Sequence, residues 1–279
     1  MLNFLRRLPM TIALATLLLY LGATAALYLA QRKFIFPGAG GPAIGAPAAG
    51  GIYRSASVEV PGSGTVQIWR SDAAAKGEPV FVFFHGNGST LEDFAELGAQ
   101  FHAQGWGVVL TSYRGYSGNP GAPSETGLME DARAILAAIG DPGGPLILWG
   151  HSLGSGVAAR MAAEGRGAGL VLEAPYTSIA DRAAQLYPIF PARLLIKDPF
   201  DTMSLLPEIK VPVLLFHSAD DRTIPIEMGR TLAAALGERV TPVFMNGLGH
   251  VPHYADLTLP VASWLAAQHL LPRPVPARP

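Results

Sequence analysis

The chain of 279 residues contains no cysteine, which excludes disulfide bonds, thiolate metal sites and a cysteine nucleophile. Charge is scarce too: acidic and basic residues make up 15% of the chain and the net charge is −1. No clustered basic face follows from that balance, so a nucleic-acid partner is excluded. The Gly-, Ala- and Pro-rich segment from Phe36 to Gly51 holds no lysine at P-loop spacing, which removes a phosphate cradle, and its composition reads as a linker. There is no internal repeat, and neither a metal nor an organic cofactor is implied.

What the chain does have is apolar residues, 49% of the total, enough for one sizeable globular domain. Arg6 and Arg7 precede an apolar run from Leu8 to Ala30 that closes on Gln31-Arg32-Lys33. At about 1.5 Å per residue such a run crosses the roughly 30 Å of bilayer hydrocarbon, and it is read as a transmembrane anchor. The alternative is a cleaved signal peptide, since Ala23-Thr24-Ala25 fits an A-x-A site, but the hydrophobicity continues past it to the basic stop. Basic residues on the two flanks nearly balance, so the orientation stays open, with a slight lean toward a catalytic domain outside the cytoplasm.

The apolar run Pro145 to Trp149, then Gly150-His151-Ser152-Leu153-Gly154, then the small residues Ser155 to Met161 read as strand, sharp turn and helix. This arrangement resembles the nucleophile elbow of an α/β-hydrolase, with Ser152 the candidate nucleophile and the amide of Leu153 one oxyanion donor. Upstream, the continuous apolar run Pro79 to Phe84 suits a strand buried on both faces and enters His85-Gly86-Asn87-Gly88-Ser89. That glycine-rich turn offers the amide of Asn87 as the second oxyanion donor, with His85 a structural anchor of the loop. Arg114, in the tight loop Tyr113 to Pro120, is read as a brace rather than an anion site.

Strand and helix alternate along the chain: strands at 56–60, 66–69, 107–111, 169–173, 211–216 and 240–245, and helices at 90–102, 125–139, 226–236 and roughly 253–269. A serine hydroxyl needs an imidazole base, and the imidazole needs a carboxylate. Asp220 or Asp221, then His250, follow Ser152 in that order, each in a loop after a strand. His253 is the fallback base.

Taken together, Phe84-His85-Gly86-Asn87-Gly88, Tyr113-Arg114-Gly115-Tyr116-Ser117, the Ser152 elbow, Glu173-Ala174-Pro175-Tyr176-Thr177-Ser178, the Asp221 segment and Gly249-His250 resemble the α/β-hydrolase superfamily. They look most like its membrane-anchored, small-lid serine hydrolases related to bud-emergence proteins and serine aminopeptidase-like domains. The family pattern H-G-x-x-D-x-x-V-P maps its acid onto Asp221, with Ser218 in place of the family glycine. The resemblance implies an α/β-hydrolase fold, with a mostly parallel central sheet flanked by helices, a short lid and an N-terminal transmembrane helix. The expected organisation is an anchor at 1–33, a linker at 34–52, a hydrolase domain at 53–270 with its lid at about 177–207, and a Pro-rich tail at 271–279.

The expected activity is hydrolysis of an ester or thioester of a small lipid-like molecule or an acylated protein, through Ser152, His250 and Asp221. The lid residues Tyr187, Phe190 and Leu194 are expected to form the substrate pocket. A peptidase, amidase or acyltransferase would use the same triad, and a non-catalytic membrane-tethered binding protein is the alternative from another class. Sequence alone sets no oligomeric state.

Overall fold

The computed structural model describes residues 2–45, 47, 51–251 and 256–272. Helix α1 (Leu2–Ile35) opens the chain, and its stretch Pro9–Ile35 is long and apolar enough to cross a bilayer. The helix therefore runs five residues beyond the apolar run read from sequence, because Gln31 and Arg32 find partners on the lid and the body.

Eight strands follow: β1 (Arg54–Val60), β2 (Gly64–Ser71), β3 (Val80–Phe84), β4 (Gly107–Thr111), β5 (Leu146–His151), β6 (Gly169–Glu173), β7 (Val213–Ser218) and β8 (Val240–Met245). They form one sheet in the order β1-β2-β4-β3-β5-β6-β7-β8. The β1–β2 hairpin is antiparallel and so is its junction with β4; every later pairing is parallel. Strands β3 to β7 are buried along almost their whole length, which is why they read as continuous apolar runs rather than alternating ones.

The helices of the body are α2 (Ala95–Ala103), α3 (Glu125–Ile139), α4 (Leu153–Ala163), α8 (Ile226–Leu236) and α9 (Thr258–Ala267). Between β6 and β7 lie three short helices, α5 (Ile179–Leu186), α6 (Ala192–Leu195) and α7 (Thr202–Leu205). Alternate residues of β3 feed two cores. Phe81 and Phe83 join Phe101, Trp106 and Trp149 on one face, while Val82 and Phe84 join Leu148 and Val157 on the other.

Three expectations are corrected. The helix expected at 90–102 begins with a 3₁₀ turn, Leu91–Phe94, because Asp93 caps the Thr90 amide and tightens the entry. The closing helix, expected over roughly 253–269, is α9 (Thr258–Ala267), because Asp256 caps the Thr258 amide and His269 turns the chain at φ 56°. Residues 253–255 lie outside the described residues. The first part of the expected linker is docked rather than loose. Phe34 and Ile35 belong to α1, and Phe36 is buried beside Phe200. The amides of Gly38, Gly40 and Ile44 donate to the carbonyls of Asn87, Gly115 and Ser117. Backbone pairing orders a segment whose side chains alone could not. Within the expected tail, residues 273–279 lie outside the described residues.

Candidate active site

Strand β5 ends at His151 and α4 starts at Leu153, which leaves Ser152 alone to turn the chain. It does so at φ 50°, ψ −119°, a conformation that costs a non-glycine residue about 1–3 kcal/mol. Its surroundings hold it there: the Ser152 amide donates to Glu173 O at 2.9 Å, and Ser155 Oγ donates to Ser152 O at 2.6 Å. Two glycines make the turn possible. A Cβ on Gly150 would collide with the carbonyl of Gly154, and one on Gly154 with the carbonyl of Phe84. The result lifts Ser152 Oγ off the carboxyl ends of the parallel strands.

The loop after β8 brings His250 to that hydroxyl, with Nε2 2.9 Å from Ser152 Oγ. On its other side, Nδ1 lies 2.8 Å from Asp221 Oδ2. Ninety-eight residues of chain separate the serine from the histidine, so the approach is wholly tertiary. His151 Nε2 donates to the His250 carbonyl at 2.8 Å and fixes the backbone of the loop.

Asp221 is buried just beyond β7. Burial by itself would raise its pKa, but hydrogen bonding to His217 and His250 and the Ile224 amide outweigh that and hold the carboxylate below its usual range. Its Oδ1 accepts from the amides of Thr223 (2.8 Å) and Ile224 (2.9 Å), which leaves Oδ2 for the imidazole. Asp220 points elsewhere. It accepts from Ser218 Oγ at 2.5 Å and from the amides of Gly247 and Gly249 at 2.8 and 3.2 Å, tying the β7 loop to the loop that carries His250. His253 lies outside the described residues.

The Leu153 amide is the first of α4, where a helix has no acceptor of its own. The Asn87 peptide is oriented through its carbonyl, which accepts from Tyr116 Oη at 2.9 Å and Gly38 N at 3.2 Å. Its amide takes no acceptor among the described residues. Gly86 lies so close to the elbow that a Cβ there would stand 3.3 Å from Ser152 Cβ. His85 is fully buried against Tyr113 and donates from Nδ1 to the Gly86 carbonyl at 2.7 Å. Burial pushes its pKa down to about 4, so it is a neutral strut of this loop. Arg114 pairs with Asp131 and Glu130 at 2.8 and 2.9 Å and braces its own loop.

Ser152, Leu153 and Asn87 face a cavity of about 350 Å³. Tyr187 and Phe190 line it, whereas Leu194 is 85% exposed and does not. The single turn of α6 directs Leu195 inward and its neighbour away. No carboxylate lines the cavity among the described residues, and Arg182 is its one charged side chain there. Sequence reasoning missed three contributors: Arg182, the Asp220 clamp, and the wall of α1 residues Thr24, Leu27, Tyr28, Gln31, Phe34 and Ile35. Their spacing of three and four residues was the available signal, hidden inside a run apolar on every face. No cluster of metal-ligating side chains occurs among the described residues.

The profile of a hydrolase family described as serine aminopeptidase, S33, matches residues 75–198, a span that includes Asn87 and Ser152. An uncharacterized protein of Mycobacterium tuberculosis is 32% identical over 251 residues, covering 88% of each chain. The lysophosphatidylserine lipase ABHD12 of Rattus norvegicus is 32% identical over 191 residues, covering 61% of this chain and about half (48%) of that one. Among solved structures, an esterase of Pyrococcus furiosus superposes with a TM-score of 0.65 at 17% identity, covering 81% of this chain and 98% of the other. The esterase Est1E of Butyrivibrio proteoclasticus, bound to ferulic acid, gives 0.66 at 15%, covering 77% and 99%. At such identities the structural likeness speaks to fold alone.

Proposed function

We propose, from the premise that the chain belongs to the α/β-hydrolase superfamily and is an esterase-like serine hydrolase of that type, that it cleaves an ester or thioester of a lipid-like acyl substrate at Ser152. The observation that carries this reading is the linked set Ser152–His250–Asp221 opening on an apolar cavity. In the reaction Ser152 Oγ gives its proton to His250 Nε2 as it attacks the acyl carbonyl carbon. Asp221 accepts from Nδ1–H throughout and stabilises the imidazolium. The amides of Leu153 and Asn87 receive the negative charge that develops on the carbonyl oxygen. His250 then protonates the departing alcohol or thiol, and a water deprotonated by the same nitrogen releases the acid from the acyl-enzyme.

The cavity favours an acyl chain over the amino terminus of a peptide. An ammonium group seeks a carboxylate partner, and none lines the cavity among the described residues. The lipase relatives and the apolar helix α1 agree with a substrate that partitions into membranes. That helix is consistent with a single-pass membrane anchor.

Labelling of the purified protein by a fluorophosphonate probe tests the reading. Wild type is expected to label, and Ser152→Ala and His250→Ala to lose labelling and ester turnover while keeping the wild-type far-UV circular dichroism. Undiminished esterase activity in Ser152→Ala would sink the proposal.

A further inference from the structure

Helix α1 is not a free tether. Tyr20 stacks on Phe190 at 5.6 Å between ring centres, and its hydroxyl donates to the Ile189 carbonyl at 3.0 Å. Lower down, Gln31 holds both sides of the lid's last turn, donating to Leu195 O at 3.2 Å and accepting from Lys197 N at 2.6 Å. Arg32 closes the attachment on buried Asp198, at 2.8 and 3.2 Å. From Tyr20 onward α1 is therefore part of the catalytic body, and its inner face, with Thr24 and Leu27, is a wall of the cavity that Ser152 faces.

A length argument then sets the depth of this assembly in a membrane. Only Pro9 to Leu19 stands clear of the body, eleven residues that rise about 16 Å. The hydrocarbon of a bilayer is about 30 Å thick and takes about 20 helical residues, and Arg6 and Arg7 do not belong in it. The remaining nine or so, Tyr20 to Tyr28, must come from the docked half. Those are the residues against which the lid tip and the cavity sit. The lid tip has the surface this depth demands, with Ile189 72% and Leu194 85% exposed.

We infer that the membrane helix is itself the acyl-chain wall of the active site, and that the cavity opens into the adjoining lipid leaflet. The occupant is the single acyl chain of a membrane-resident ester, which slides in along Leu27 without leaving the hydrocarbon. A volume of about 350 Å³ is near the lower end of the range of about 300–1,000 Å³ for ligand pockets, in keeping with one chain rather than two. The inference rests on the ester-hydrolase reading above.

The test uses the full chain in phosphatidylcholine vesicles with two substrates, p-nitrophenyl butyrate and vesicle-borne 1-oleoylglycerol. Leu27→Trp, which fills the wall, should lower the ratio of kcat/KM for the long ester to that for the short one by about tenfold or more. Leu29→Trp, on the lipid-facing side at 77% exposure, should leave that ratio within about twofold of wild type. An unchanged ratio in Leu27→Trp, or an equal fall in Leu29→Trp, overturns the inference while the hydrolase reading stands. Wild type that labels with no fluorophosphonate and turns over neither ester overturns both.

A second measurement does not depend on turnover. Because the chain has no cysteine, Ile189→Cys gives a single site for an environment-sensitive NBD label. Its fluorescence in vesicles should be quenched by nitroxide-bearing acyl chains and shielded from aqueous iodide. Quenching by iodide alone would place the lid tip in water and overturn the inference.

Discussion

Two adjacent aspartates do different jobs in the structure. Asp221 spends one oxygen on two loop amides and offers the other to His250, while Asp220 binds Ser218 and the loop that presents His250. Asp221→Asn should therefore reduce kcat by about 10³–10⁴, because the amide favours the wrong imidazole tautomer, with KM for a short ester little changed. Asp220→Ala should cost about tenfold in kcat by loosening the His250 loop, and Asp220→Asn should recover part of it through the amide oxygen. Steady-state kinetics on a soluble ester separate the two. The residue types of the site were legible because the chemistry dictates them: a serine in a glycine elbow, then an acid, then a histidine, each after a strand. What lay beyond reach was the support. Neither the His151 bond to the His250 carbonyl nor the Asp220 clamp leaves a local pattern, since each joins loops far apart in sequence.

Most strands and helices of the body were readable to within about two residues, because strands buried on both faces and helices with one apolar stripe carry strong periodic signals; the starts of α2 and α9, each about five residues later than expected, were not. The lid helices were not. Helices α5 and α6 bury no residue, and they are ordered by α1 on one side and the body on the other. Packing between elements also decides which glycines matter. Gly154 brings α4 against the end of β3, so Gly154→Ala should destabilise the fold by about 3 kcal/mol or more. Gly88 has nothing within 4 Å of its would-be Cβ, and Gly88→Ala should stay within about 0.5 kcal/mol of wild type. Urea unfolding of the two variants in the same detergent checks the contrast.

For the whole molecule, acid is a threat with an identifiable source. His85 is buried neutral with its pKa pushed down to about 4, against 6.5 when unfolded. The folded state thus binds fewer protons than the unfolded one between those values. Its contribution is complete above pH 6.5 and is lost as the pH falls toward 4, by about 3 kcal/mol. Asp221 adds nothing in that window, since its lowered pKa makes its contribution fade only below the ordinary carboxylate range. His85→Gln cannot take up the proton, so its stability deficit relative to wild type should shrink by about 3 kcal/mol between pH 7 and pH 4. Parallel stability curves for the two proteins would contradict this.

Helix α1 carries one more consequence, for anyone who handles the protein. The detergents that extract a membrane helix are single-chain amphiphiles, shaped like the acyl chain that, on the inference above, Leu27 and Tyr28 receive. Solubilisation thus floods the site with a competitor, and a soluble truncation that begins after Ile35 removes one side of the site altogether. On that inference, detergent extract and truncate alike should turn over long-chain esters more slowly than the full chain in vesicles.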